Sequence, residues 1–450
     1  MITIYVPRSS LQERSYVIDI LFGEFLGLEY EIHASDVKEY RIVLEYGNTL
    51  IIRDHFFFRF DGRVSYLNAN NIPKSVQYTK NQFTSENSIP IIYGNDEFIV
   101  EEHEMLSGID IFASCFFMLT RWEERVLTAR DAHDRFPAAE SLAYKHNFLD
   151  RPIVNEYVEM LWNMITFLGC AQQRKNRQFK FLLTHDVDEV RFWNDWKDAF
   201  IKPAELALKG VGFKVALRIA QQYSKVKKSK TKDPYDTFEL LMDVAESNNI
   251  QSRFYFMSKG YTRYDNHYDI ADPKIGELCR MIQQRGHIIG FHPSYASRAD
   301  PLRWKNEKDL LERTLNIAVK EGRQHYLRFE VPTTWQIWED NNMICDSSLG
   351  YPEKEGFRCG TCYEYSVFNC HTRKKLKLKE RPLIVMESSL MSYQAASPEK
   401  VEQRIKFLVE KVRRYKGVFA FLWHNSSFFP PPRDKYASIY ENILKYLKET

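Results

Sequence analysis

The chain has 450 residues, 44% of them hydrophobic, and its 63 Lys and Arg against 60 Asp and Glu leave a formal charge of +3. That is enough apolar mass for two or three packed domains, and too little net charge for a global field that would draw in nucleic acid, so electrostatic specificity has to be local. Seven cysteines without framework spacing indicate a reducing compartment. The start Met1-Ile2-Thr3-Ile4-Tyr5-Val6-Pro7-Arg8 has no basic and apolar leader, and the longest apolar run, Ile111 to Leu119, falls short of the about 20 residues of a membrane span. A cytoplasmic protein is expected.

From the N-terminus, Ile2 to Val6 has the pattern of a strand and Ser10 to Leu26 that of an amphipathic helix with Tyr16, Ile18, Ile20, Leu21 and Phe25 inward. The period then changes to alternation over 29–33, 40–46 and 49–53, with Gly47-Asn48 as a turn, which predicts short antiparallel strands. Between Asp110 and Arg125 the residues Phe112, Cys115, Phe116, Leu119 and Trp122 recur at helical spacing, and Val154 to Leu168 is helical again. The polar run Gln172-Gln173-Arg174-Lys175-Asn176-Arg177 marks a boundary near 171. The expectation is an α+β head over 1–170 and a second domain over 171–450.

Beyond the boundary, strand and helix alternate. Strands are predicted at Lys180 to Thr184, Arg253 to Met257, His287 to His292, Tyr326 to Glu330, Leu383 to Glu387 and Val418 to His424. Helices are predicted at Phe238 to Ser247, Leu278 to Arg285, Lys308 to Lys320, Pro398 to Tyr415 and Ser438 to Glu449, the fourth opened by a Ser397 cap with Pro at its first position. Repeated βα units require a parallel sheet, either a barrel or an open doubly wound one.

The stretch Phe179 to Glu189 is an apolar strand that ends in His185, Asp186, Asp188 and Glu189. Side chains alternate along a strand, so Asp186 and Asp188 face the same side, which suits a metal ligand beside a general base. A pair of solvated acids capping the next helix is the plainer alternative. What favours chemistry is the company: His292, Arg328 with Glu330, Glu387 and His424 also end predicted strands, and in a β/α barrel such tips share one catalytic rim.

Thr184-His185-Asp186-Val187-Asp188, Gly286 to His292, Arg328 followed by Pro332, and Leu422-Trp423-His424 resemble, in order, the motifs of NodB-homology polysaccharide deacetylases, the carbohydrate esterases of family four. The resemblance covers about 175 to 450 and implies a distorted β/α barrel that removes acetyl groups from sugar polymers with a divalent metal, here expected to be zinc. It implies Asp186 as base, Asp188 and His292 as metal ligands, Arg328 as the arginine orienting the base and His424 as the acid. The head, with Asp110 to Ser114 leading to Arg121-Trp122-Glu123-Glu124, resembles an N-terminal domain without known activity that accompanies such barrels in bacterial proteins. One position departs: four residues after His292, where the family has its second ligand histidine, stands Ala296. His185 is the expected replacement, which requires the backbone to turn at the strand's end, since an extended strand would face it away from Asp186 and Asp188.

Other features point elsewhere or nowhere. Cys359-Gly360-Thr361-Cys362 with Cys370-His371 lacks the second pair of a zinc site, and loop thiols are expected. Ile201 to Lys232 carries nine Lys or Arg against one acid, which is either a solvated insertion or a weak contact with an anionic membrane surface. Trp335, Trp338 and Tyr295 lie near rim motifs, where sugars could stack on them. Two functions are therefore carried forward: a deacetylase acting on a sugar or polysaccharide precursor, and, because of Ala296, a barrel that has lost hydrolysis and binds saccharide or protein.

Overall fold

A computed structural model describes residues 1–60, 64–265, 267–429 and 436–449. The N-terminal part is built on a six-stranded sheet of Ile2–Pro7 (β1), Tyr30–Ser35 (β2), Tyr40–Val43 (β3), Thr49–Ile52 (β4), Gly94–Val100 (β7) and Glu104–Ile109 (β8), in the order β2-β1-β3-β4-β8-β7. Gln77–Thr79 (β5) and Ile89–Ile91 (β6) form a separate pair. The sheet is mixed rather than antiparallel. β1 pairs in parallel with β2 because the helical stretch from Leu11 to Leu26 carries the chain back to its starting edge, as any strand-helix-strand crossover must. β3 and β4 form the hairpin, turned at Gly47, whose φ of 86° suits glycine.

The rest of the chain is a mixed α/β assembly around a curled nine-stranded sheet. Its strands are Lys180–Val187 (β9), Ser252–Phe256 (β10), Ile288–Phe291 (β11), Glu321–Gly322 (β12), Cys345–Asp346 (β13), Tyr365–Asn369 (β14), Lys374–Glu380 (β15), Leu383–Met386 (β16) and Val418–Leu422 (β17). Their order is β14-β15-β13-β12-β11-β10-β9-β17-β16, parallel throughout except for the β14-β15 hairpin. The sheet stays open between β14 and β16, as in a distorted barrel. Helices such as Phe238–Ser247, Pro273–Gln284, Pro301–Leu315 and Pro398–Arg414 fill the crossovers. Among the described residues, no helix is long and apolar enough to cross a membrane.

One predicted strand is absent. Tyr326 and Leu327 take left-handed backbone angles, φ 61° and 53°, so the stretch Tyr326 to Glu330 is a tight turn, and the strand in its place is the two-residue β12. At Gly322 a Cβ would lie 1.9 Å from the Phe291 carbonyl oxygen, so only glycine lets β12 approach β11 this closely.

The two sheets share a continuous apolar core. The fully buried helix Ile111–Thr120 is capped by Asp110, whose carboxylate accepts from the Ala113 amide at 2.9 Å. At its end Glu124 receives a two-pronged contact from Arg358, at 2.9 and 2.5 Å, and one from Arg121 at 2.9 Å, all nearly sealed from water. Asn155 accepts from Thr361 and from the Cys362 amide, and Tyr365 donates to the Leu119 carbonyl. Cys359, Cys362 and Cys370 lie in turns, as expected of loop thiols, but are buried along this contact. Removing one partner of a buried pair strands the other charge. Glu124→Leu, which leaves Arg358 without a carboxylate and with the Gly350 carbonyl and the Tyr351 ring, is expected to lower unfolding stability by about 3–5 kcal/mol, read from the denaturant midpoint.

Candidate active site

The strand tips of β9, β11, β12, β16 and β17 bring their polar residues to one end of the sheet, where a cleft of about 130 Å³ is lined by Asp186, Asp188, His292, His325, Met386 and His424 among others. At its centre is Asp188. Its Oδ1 lies 3.2 Å from His292 Nε2 and 3.5 Å from His325 Nε2, and its Oδ2 lies 3.6 Å from His424 Nε2.

Each imidazole is aimed by its other nitrogen. His292 Nδ1–H donates to the Arg323 carbonyl at 2.6 Å, His325 Nδ1–H to Asp265 at 3.2 Å, and His424 Nδ1–H to Glu387 at 2.7 Å. Carbonyl and carboxylate oxygens only accept, so all three Nδ1 atoms carry protons and all three Nε2 atoms turn inward. This outer ring of acceptors is the arrangement that orients metal-binding histidines. Burial favours a neutral Asp188, but the three surrounding imidazoles outweigh it and hold the carboxylate well below its usual range.

Asp186 faces the same cleft. Arg323 Nη1 reaches its Oδ1 at 2.7 Å, and the same guanidinium donates to Thr184 Oγ1, the Ser347 carbonyl and Ser347 Oγ. Both partners are almost wholly buried, so Arg323 is a fixed cation rather than a mobile one. Burial lowers the basicity of His424, yet the Glu387 carboxylate behind it, together with Asp188 and Asp186, raises its pKa to about 9. Glu387 in turn is kept ionised against its burial, chiefly by the His424 charge, and also accepts from Ser427 Oγ.

The atoms that could hold a metal are Asp188, His292 and His325, whose donor atoms lie within 4.8 Å of one another. Asp188 Oδ1 and His292 Nε2 are buried and make no hydrogen bond, although 3.2 Å apart. Two such orphaned atoms fit a cation seated between them.

Two residues named from the sequence stand elsewhere. His185 points away from the cleft. It is sealed from water, donates from Nδ1 to the Trp423 carbonyl at 2.6 Å and receives Ser252 Oγ at Nε2, because β9 stays extended through Val187 and alternation sends 185 opposite to 186 and 188. Burial accordingly lowers its pKa to about 4. Arg328 does not touch Asp186 either. Its guanidinium covers the Tyr295 ring at 3.9 Å and donates to the carbonyls of His133 and Tyr295, since the strand ends at Gly322 and the arginine nearest the tip is Arg323. Trp335 and Trp338 are fully buried, which removes them as sugar platforms, whereas Tyr295 is half-buried.

Four residues were missed in the sequence: Arg323, His325, Asp265 and Arg135. The stretch Gly322-Arg323-Gln324-His325 offers the arginine and the histidine together, but a two-residue strand has no period by which to place them. Arg135 comes from the N-terminal part, where Asp131 holds it at 2.7 Å. It reaches over the cleft to the Tyr326 carbonyl at 3.0 Å and to the Tyr393 hydroxyl.

Residues 2–169 match a family model described as a family of unknown function, DUF7033. No curated protein matches the chain. Among solved structures, one described as a polysaccharide deacetylase from Mycobacterium smegmatis is 13% identical over 61% of this chain and 85% of its own, with a TM-score of 0.40. A family 4 carbohydrate esterase from Streptomyces lividans, in complex with acetate, is 9% identical over 61% and 90%, with a TM-score of 0.30. A CE4-family pseudoenzyme from Bacillus anthracis is 9% identical over 60% and 62%, with a TM-score of 0.31. Superpositions this loose transfer no activity, and what the cleft does has to be argued from its own side chains.

The geometry separates the two histidines by experiment. His325→Ala is expected to weaken zinc binding by about a hundredfold or more. His185→Ala should leave zinc binding unchanged while costing about 1–3 kcal/mol of stability through its lost hydrogen bonds. Calorimetric titration of zinc and denaturant unfolding of both variants read the two effects.

Proposed function

We propose that the chain is a metal-dependent hydrolase that removes acetyl groups from a sugar or polysaccharide precursor. The observation that carries this reading is the set around Asp188: a carboxylate ringed by three inward-facing Nε2 atoms, beside a second carboxylate clamped by a buried arginine. When bound by Asp188, His292 and His325, a divalent ion, with zinc favoured by one carboxylate and two imidazoles, would polarise the acetyl carbonyl and acidify a water molecule.

The remaining chemistry belongs to the chain's own groups. Arg323 clamps Oδ1 of Asp186 and aims the carboxylate, leaving Oδ2 to accept the proton of the attacking water. His424, charged by virtue of Glu387, presents Nε2–H to the departing nitrogen or oxygen and returns a proton to it. Leu327, Met386 and Pro352 close the apolar side of the cleft, which strengthens each of these interactions by excluding water. Tyr326 and Tyr393 line the cleft, so a sugar carrying the acetyl group would lie against them.

The alternative of a barrel that only binds was motivated by Ala296. His325 stands beside His292, ring centroids 5.0 Å apart, and would serve as the second imidazole in place of the one Ala296 lacks. That observation favours hydrolysis. The division into a head over 1–170 and a barrel over 171–450 is part of the same proposal.

Acetate release from N-acetylated chitooligosaccharides, with and without chelator, tests the reading. Asp186→Asn is expected to lower the rate by about 10²–10⁴ while zinc stays bound. Equal loss of zinc from Asp186→Asn and Asp188→Asn would mean that base and ligand have been misassigned.

A further inference from the structure

We propose that the helical hairpin inserted between β9 and β10 is a docking surface for an anionic lipid bilayer. It comprises the helices Asp198–Leu206, which runs on through Val211, and Phe213–Lys227. Large apolar side chains exposed on the described surface concentrate here: Trp196, Phe200, Ile201, Leu208, Phe213 and Leu217, with Leu208 88% and Phe213 78% exposed. They are not scattered. At helical pitch Phe200, Ile201, Ala204 and Leu208 fall within an arc of about 100°, and Trp196 leans on Phe200 at 6.4 Å. On the second helix Phe213 and Leu217 stand one turn apart, away from the buried Ala216 and Ile219.

The hairpin already has an interior. Phe192, Trp193 and Ile219 form a cluster of their own, with Leu206, Val215 and Tyr223 packed against it. The exposed stripe is therefore a second apolar face, and contiguous surface of this kind marks an interaction site. Its surroundings say with what. From Ile201 to Lys232 the chain carries nine Lys or Arg and only Glu205 as an acid. Of these cations, among the described residues, Lys202 and Lys232 have carboxylate partners, whereas Lys214, Arg218, Lys225, Lys227, Lys228 and Lys230 have none. An apolar stripe flanked by unpaired cations matches acyl chains below and anionic headgroups beside them. A second copy of the chain would instead bring the same cations face to face.

The hairpin is also rooted in the loops beside the cleft. It starts four residues after Asp188 at Phe192, whose amide and that of Trp193 are held by Asp233 at 2.8 and 3.1 Å. Asn425, next to His424, donates to the carbonyls of Glu189 and Tyr235 and so ties both ends of the insertion to the acid's loop. Docking would bring the cleft close to the lipid surface, so the saccharide it acts on would be one carried there. That last step rests on the deacetylase reading, and the docking does not.

The test uses the full chain with vesicles of phosphatidylcholine and phosphatidylglycerol in equal parts, and with phosphatidylcholine alone. Of the eight tryptophans, Trp196, 65% exposed, is the one in the open, so quenching by brominated lipid reports on this face. We expect flotation with the anionic vesicles that weakens as salt rises, and quenching that disappears in Trp196→Phe. The triple variant Phe200→Ser, Leu208→Ser, Phe213→Ser should lower the bound fraction about tenfold. Flotation should persist in chelator and in Asp186→Asn, which keeps failure of hydrolysis distinct from failure of docking. No flotation, flotation without quenching in the unmodified chain, or self-association that the triple variant abolishes would each overturn the proposal.

Discussion

Everything at the cleft depends on where three protons sit. A histidine offers its inner nitrogen to an anion or a cation only if its outer nitrogen is committed, and here the commitments are made by a backbone carbonyl, by Asp265 and by Glu387. The three acceptors come from different places: the residue after β12, the loop after β10 and the end of β16. The sheet's parallel order makes this convergence possible, because each strand delivers its tip to the same end. Without these acceptors behind them, the buried imidazoles around Asp188 would have no fixed orientation.

How much of this was legible in the sequence follows from how each element is specified. β9 and β17 are long enough to show an apolar run with an abrupt polar end, so the positions of Asp186, Asp188 and His424 could be read, and the odd spacing of His185 already argued against its use as a ligand. The helices with strong periods, Phe238–Ser247 and the Ser397-capped Pro398–Arg414 among them, were equally plain. What could not be read was β12. Two residues carry no period, and the neighbouring Tyr326-Leu327-Arg328-Phe329 looks like a strand in composition although its first two residues are left-handed. That displacement moved the expected arginine from 323 to 328 and hid His325 with it. The mixed sheet of the N-terminal part was misread for a related reason: pairing direction depends on where a crossover helix lands, and alternation within a strand is silent about that.

Tyr326 and Leu327 also illustrate the cost of such a site. Non-glycine residues in the left-handed region are strained by about 1–3 kcal/mol each, and they persist where their surroundings leave no alternative. Here the surroundings are the Arg135 contact to the Tyr326 carbonyl and the ring contacts of Tyr326 with His133, Tyr264, Tyr295 and His325. The strain sits directly beside the imidazole that completes the Asp188 cluster.

Arg135 and His133 belong to the N-terminal part, yet one closes over the cleft and the other buttresses the turn that shapes it. The cleft therefore lies along the seam where residues 133 and 135 meet the turn after β12. A substitution at Arg135 or His133 would reshape its mouth without altering any residue in contact with Asp188. Recognition at such a seam is inherited jointly: neither part can drift in sequence along the contact without changing what the other can admit.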